Sequence, residues 1–145
     1  MENYMNLEFP ALACNEGFAR IAVAGFVMEL DPTCEELSEL KTAISEAVTN
    51  AIIHGYRNSV GVVKLSGNIN GKEVIFTVSD FGTGIENISR AMEPLYTGAP
   101  EMERSGMGFT IMEEFMDNIS VESEIGKGTV VVMSKYIRGG SKNNG

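Results

Sequence analysis

Glu46 and Asn50 stand four residues apart in a segment of helical periodicity, about 40° from each other on a helical wheel, so both side chains can reach one point. An asparagine carbonyl can ligate a hydrated Mg²⁺, and a carboxylate beside it can act as a general base. The same spacing also fits a solvated helix face. Ala43, Ala47 and Ala51 around the pair are small, which would let a ligand approach. A second cluster, Asp80-Phe81-Gly82-Thr83-Gly84-Ile85, follows directly on a hydrophobic strand. A buried carboxylate at a strand end must find a donor, and the exocyclic amine of adenine is one; the two glycines permit close approach of a flat ligand. A plain turn is the other reading. The triplet Asp80-Phe81-Gly82 also occurs in eukaryotic-type protein kinases, where it holds magnesium. That match is a decoy: no His-Arg-Asp loop is present, and 145 residues are too few.

Ser105-Gly106-Met107-Gly108 opens a further helical segment, and a glycine-rich helix entry cradles phosphate through free backbone amides and the helix dipole. Arg104 just before it could add charge for a γ-phosphate or stand solvated on the surface. No Walker-type Gly-x₄-Gly-Lys-Ser/Thr run occurs, which excludes the ordinary P-loop families. Gly128-Thr129 offers one hydroxyl at a strand start. His54, the sole histidine, reads as a helix-end residue at the negative pole of the dipole.

The elements that must position these residues follow from periodicity and punctuation. A first strand is expected over Asn6 to Leu12, then a helix capped by Asn15 and stopped near Leu30 by Asp31-Pro32. On that helix Phe18, Ile21, Ala22 and Gly25 form one apolar face and Val23, Ala24 and Val27 the opposite one, with Glu16 and Arg20 on the second. A helix apolar nearly all round is covered on both sides, by its own fold or by another protein. Thr33-Cys34-Glu35-Glu36 is a capping box, and Leu37, Leu40, Ile44, Val48 and Ala51 form the stripe of a second helix reaching about His54. Val63/Leu65/Ile69 and Val74/Phe76/Val78 alternate with period two around Asn70-Gly71, a hairpin signal. From Asp80 to Gly108 regularity fails apart from a short possible helix over Ile85 to Met92, and so long a loop in a compact domain is usually functional. Gly108 to Phe115 reads as a helix, Asn118 to Glu124 and Thr129 to Ile137 as strands, and residues 138–145 as a disordered polar tail. The expected fold class is α+β, a two-layer sandwich with a mixed, mostly antiparallel sheet and the helices on one face.

At 145 residues, 43% hydrophobic and 21% charged, the chain affords one domain, residues 1–137, with a real core. Eleven basic against 20 acidic residues leave a net charge of −9, a poor match to nucleic-acid phosphates, so no direct nucleic-acid partner is expected. The longest apolar run, Ile21 to Met28, is far short of the roughly 18 residues that span a bilayer. The first residues carry an acid where a secretory signal is basic, so a cytoplasmic location is expected. Cys14 and Cys34 read as two reduced core thiols, with no zinc-like spacing.

Taken in order, Glu46-Ala47-Val48-Thr49-Asn50-Ala51, Asp80-Phe81-Gly82-Thr83-Gly84-Ile85, Ser105-Gly106-Met107-Gly108-Phe109 and Gly126-Lys127-Gly128-Thr129 resemble the N, G1, G2 and G3 boxes of the GHKL (gyrase, Hsp90, histidine kinase, MutL) ATP-binding fold, also called the Bergerat fold. Over nearly the whole chain, and most closely in Glu93-Pro94-Leu95-Tyr96-Thr97 and from Glu103 to Glu113, the sequence is similar to the branch of sporulation anti-sigma factors that are also serine kinases. The resemblance implies ATP/ADP and Mg²⁺ as cofactors, with Asp80 accepting the adenine amine, Gly82 and Gly84 admitting the base, and Thr129 near it. It implies Asn50 as the Mg²⁺ ligand, Gly106 and Gly108 as phosphate holders, Arg104 on the lid, and Glu46 as the base that activates a partner's serine hydroxyl. Glu16 and Arg20, placed on an outward face of the first helix, match the surface that such proteins present to a sigma factor and to an anti-anti-sigma phosphate acceptor, and a homodimer is implied. One departure is Ala99, where the family often has a lysine before the lid proline, here Pro100. A non-catalytic, ATP-dependent sigma-binding module is the alternative. A gyrase-like or chaperone-like ATPase would need transducer domains, and a histidine kinase a dimerisation helix pair, neither of which fits this length.

Overall fold

The computed structural model describes residues 2–55, 61–82 and 108–140. Five strands, β1 (Glu2–Pro10), β2 (Val62–Asn70), β3 (Glu73–Asp80), β4 (Asn118–Glu124) and β5 (Gly128–Tyr136), form one sheet in the order β1-β2-β3-β5-β4. Every described pairing is antiparallel, where the sequence left room for a mixed sheet. Among the described residues three α-helices accompany it: α1 (Asn15–Val27), α2 (Cys34–Asn50) and α3 (Gly108–Phe115). All three touch the same sheet face. Phe26 of α1 meets Phe76 of β3 edge to face, with ring centroids 6.1 Å apart, and Lys135 of β5 reaches both α2 and α3. The result is the expected two-layer α+β sandwich, with a core of Leu40, Ile44, Val48, Val63, Leu65, Phe76, Met112 and Met133 among others.

Period-two alternation sets which side chains turn inward. Val63, Leu65 and Ile69 of β2, and Val74, Phe76 and Val78 of β3, are all buried. The hairpin joining β2 and β3 turns one residue later than its Asn70-Gly71 signal suggests. Asn70 pairs with Glu73, so Gly71-Lys72 forms the two-residue loop, and only Gly71 takes a positive φ, +66°, as in a type II′ turn. β1 begins four residues before the expected strand because it pairs along the whole of β2, from Glu2 opposite Asn70 to Pro10 opposite Val62. It stops at Pro10, which has no amide to donate.

The capping box of α2 is present as read: the Thr33 hydroxyl accepts from the Glu36 amide at 3.0 Å, and the Glu36 carboxylate accepts from the Thr33 amide at 2.9 Å. Glu36 does more than cap. Its two oxygens also accept from the Arg138 and Gly139 amides at 2.7 and 3.1 Å, and the Gly140 amide donates to the Asp31 carbonyl. The polar segment expected to fray from Arg138 is therefore held through Gly140 in the described residues. α1 has no side-chain cap; Asn15 instead donates its amide to the Pro10 carbonyl at 2.9 Å. The helix ends at Val27 in a 3₁₀ turn, Met28–Leu30, and the chain reverses at Asp31 with φ +53°. Cys14 and Cys34 are exposed rather than core, because both lie at helix starts on the solvent side.

Candidate functional site

Asp80 is the last residue of β3 and continues the inward series Val74, Phe76, Val78, so the strand delivers a carboxylate to the inner face at the sheet's end. It lies in register with Thr129 of β5, and the two are only 6% and 7% exposed. Burial, the largest influence, pushes the Asp80 carboxyl above the usual aspartate range, against the pull of backbone hydrogen bonds from Gly82 and Thr129. The Gly82 amide donates to Oδ1 at 2.9 Å. A ligand amine arriving here would relieve a desolvated carboxylate.

The close approach of β5 to this carboxylate depends on Gly128. Its φ is +108°, and a Cβ there would lie 2.1 Å from the Asp80 carbonyl oxygen and 2.7 Å from the Phe81 Cα. The sequence offers Gly128-Thr129 for a hydroxyl, but the glycine carries the geometry. Ser123 is a further residue of the site, outside the motifs. The Ser123 hydroxyl lies 2.8 Å from that of Thr129 and donates to the Gly128 carbonyl at 3.0 Å, which orients the threonine. The signal was present in β4: Ile119, Val121 and Ser123 alternate on one face, so the hydroxyl ends an inward series as Asp80 does.

Glu46 and Asn50 are half-buried on α2, where the chain passes into a single π-helical turn, Ala51–Gly55. The Asn50 side-chain nitrogen, Nδ2, is buried and has no hydrogen-bond partner among the described residues. A polar group left so is costly unless something binds it, and the amide can present either its oxygen or its nitrogen. A cation does not satisfy an amide nitrogen; with the amide turned to place its oxygen there, a metal ion carrying water and phosphate oxygens would fit it. Ala43, Ala47 and Ala51, expected to leave room for a ligand, are instead packed in the core at 0%, 1% and 3% exposure. Small size there serves helix packing. Gly108 opens α3 as expected. Gly84, Arg104, Gly106, Ala99, the Ile85 to Met92 segment and the side chain of His54 lie outside the described residues.

Glu16 and Arg20 form an i, i+4 pair at 3.5 Å, an ion-pair contact too long and misdirected to satisfy the buried Glu16 Oε2 as a hydrogen bond. Arg20 is exposed, as expected, whereas Glu16 is half-buried. Ala19, Val23 and Val27 are the buried stripe of α1, and Glu16 and Arg20 ride on its flank. Arg20 lines a groove of about 470 Å³ together with Ser38, Lys41, Thr42 and Ser45 of α2. A second outward face is apolar, with Phe18 49%, Ile21 73% and Met28 57% exposed. By heptad spacing Glu16 and Arg20 fall on the side of Val23 and Val27, at the edge of the buried stripe, so Glu16 is partly covered while Arg20 reaches solvent.

Comparison with known proteins bears on the family and the fold. Residues 10–135 match the family model of the histidine kinase-like ATPase domain. The chain is 61% identical over 135 residues to an anti-sigma F factor of Clostridium acetobutylicum, covering 93% of this chain and 94% of that protein. It is 59% identical over 134 residues to one of Clostridium kluyveri (92% and 94%), and 58% identical over 138 residues to one of a Geobacillus species (94% and 94%). A solved structure of the RsbU and RsbW domains of a Mycobacterium tuberculosis protein superposes with a TM-score of 0.68 at 17% identity, over 93% of this chain and 32% of that one. That likeness speaks for the fold. With a nucleotide-binding ATPase domain spanning most of its length, the chain belongs to the anti-sigma F factor family within the histidine kinase-like ATPases.

Proposed function

We propose that this chain is a cytoplasmic, ATP-dependent protein serine kinase that also holds a sporulation sigma factor, both roles sharing one nucleotide site. The observation that carries the reading is the buried Asp80 beside Thr129, with the unpartnered amide nitrogen of Asn50 on the adjoining helix. Asp80 accepts the adenine amine and Thr129 lines the base; Gly82 and Gly84 leave room for it. Asn50 would hold Mg²⁺, which when bound neutralises phosphate charge. Gly106 and Gly108 offer amides to the phosphates, and Arg104 adds positive charge at the γ position. Glu46 takes the proton from the acceptor serine as its oxygen attacks the γ-phosphorus in line, and the bond from that phosphorus to the leaving ADP oxygen breaks.

In the proposed cycle a homodimer carrying ATP holds sigma. An unphosphorylated anti-anti-sigma protein then displaces sigma and is phosphorylated on serine, leaving ADP. Two surfaces support these contacts: the groove lined by Arg20 and Lys41 in a chain of net charge −9, and the exposed Phe18, Ile21 and Met28 of α1. The test is transfer of label from γ-labelled ATP to a candidate anti-anti-sigma protein by this chain and by Glu46→Gln. Label on an acceptor serine, lost in the variant while ATP and sigma still bind, is the expected result. Nucleotide binding without transfer to any acceptor would leave a sigma-binding module; equal transfer by the variant would remove Glu46 as the base.

A further inference from the structure

Lys135 lies on the inner face of β5, opposite Val74, and is only 8% exposed. Its ammonium donates to the carbonyl of Phe115 at 2.8 Å and meets Glu39 Oε1 at 3.3 Å. Phe115 is the last residue of α3, so the lysine satisfies one of the carbonyls that every helix leaves open at its C-terminus, at the negative end of the dipole. Glu39 belongs to α2. Counting 100° per residue, Glu46 and Asn50, seven and eleven residues further on, each fall within about 20° of Glu39. Lys135 therefore grips α2 on the stripe that carries the candidate base and magnesium ligand.

A buried ion pair of this kind contributes little net stability, because desolvation offsets its attraction, whereas an aliphatic chain of the same length would pack as well. What it adds is direction. Apolar contacts such as those of the buried Met112 are non-directional, whereas hydrogen bonds from one ammonium to both helices fix their orientation. We propose that Lys135 is a positioning residue for the phosphate end of the nucleotide site, holding α3, whose first turn begins at Gly108, in fixed relation to Glu46 and Asn50. This rests on the reading of that turn as the phosphate cradle. The base end, Asp80 and Thr129, is built from the sheet and does not depend on the clamp.

The test is titration of the full chain and its Lys135→Met variant with adenosine and with ATP in Mg²⁺, alongside acceptor phosphorylation. ATP affinity is expected to fall about tenfold, the size of one lost charge-assisted hydrogen bond to phosphate, with adenosine affinity unchanged. Phosphoryl transfer falls further, and Lys135→Arg recovers part of both. Glu39→Gln keeps the bond to Phe115 and serves if Lys135→Met does not fold; it shows the same split at smaller size. Equal losses for adenosine and ATP, or no loss for either, overturn the proposal. Failure of the unmodified chain to bind ATP would instead overturn the nucleotide reading on which it rests.

Discussion

Asp80 and Thr129 face one another across β3 and β5 at the inner end of the sheet, with Thr129 held by the Ser123 hydroxyl at 2.8 Å. The carboxylate is buried before any ligand arrives, and its proton affinity is raised for that reason. Such a group opposes stability and serves binding. Its native state holds a proton more tightly than the unfolded chain, so its contribution to stability declines as pH rises through the carboxylate range and stays unfavourable above it. Asp80→Asn should therefore leave the thermal midpoint at pH 7 unchanged or higher. ATP affinity should fall roughly 10- to 100-fold, since a charged acceptor is lost. Calorimetric titration beside a melting curve measures both. Unaltered ATP affinity would contradict the adenine contact.

Gly128→Ala separates a required glycine from a merely convenient one. Both strain and collision act at Gly128, with φ +108° and the Asp80 carbonyl 2.1 Å from a Cβ. Gly71, at φ +66° in the hairpin turn, has nothing within 4 Å. Urea unfolding should show a loss of about 3 kcal/mol or more at Gly128 but only about 1 kcal/mol for Gly71→Ala. The Gly128 variant should also weaken ATP binding, because β5 must move off Asp80.

These two glycines show what the sequence made legible. Local chemistry was readable: the Thr33/Glu36 capping box, the inward alternation ending at Asp80, and α3 from Gly108 all stand where pattern placed them. What pattern could not supply was contact between distant segments. Gly128 is needed because β5 passes over Asp80, and Glu36 accepts from Arg138 and Gly139, partners about a hundred positions away. The two faces of α1 were both seen, yet which one turned inward depended on the packing of Ala19, Val23 and Val27, which carried Glu16 and Arg20 to the groove side. The resemblance of four ordered segments to the ATP-binding boxes of the family was the strongest signal, since an ordered set is matched by chance far less often than a single motif.

Glu36 should give the fold an acid-sensitive clasp. Its burial, the largest single influence, raises the carboxyl, but the Thr33, Arg138 and Gly139 amides together outweigh this and bring it below the ordinary value of 4.5. A depressed acid adds stability that is complete above 4.5 and is lost as pH falls through its lowered native value. Glu36→Gln should cost about 1–3 kcal/mol at pH 7, through weaker acceptance from three backbone amides. Chemical unfolding at a series of pH values should show the gap from the unmodified chain closing below 4.5. A gap constant with pH would mean that the charge of Glu36 is not what holds Arg138 to Gly140.

The groove and the outward face of α1 make different demands on a partner, and reversal of charge distinguishes them. Lys41 and Arg20 line the groove, and Lys41 has no ion pair among the described residues. In a chain of net charge −9, an acidic partner is repelled by the whole surface and attracted only near such sites, so Arg20→Glu and Lys41→Glu should slow association with sigma or acceptor about tenfold or more at low salt. The difference should shrink at high ionic strength, as screening shortens the reach of each charge. Ile21→Ser, at a residue 73% exposed on the other side, should instead shift sizing at several concentrations toward monomer. ATP affinity should stay level in all three variants, because none of these residues touches the Asp80 end of the sheet. A parallel fall in ATP affinity for Arg20→Glu would place the groove in the nucleotide site and end its reading as a partner surface.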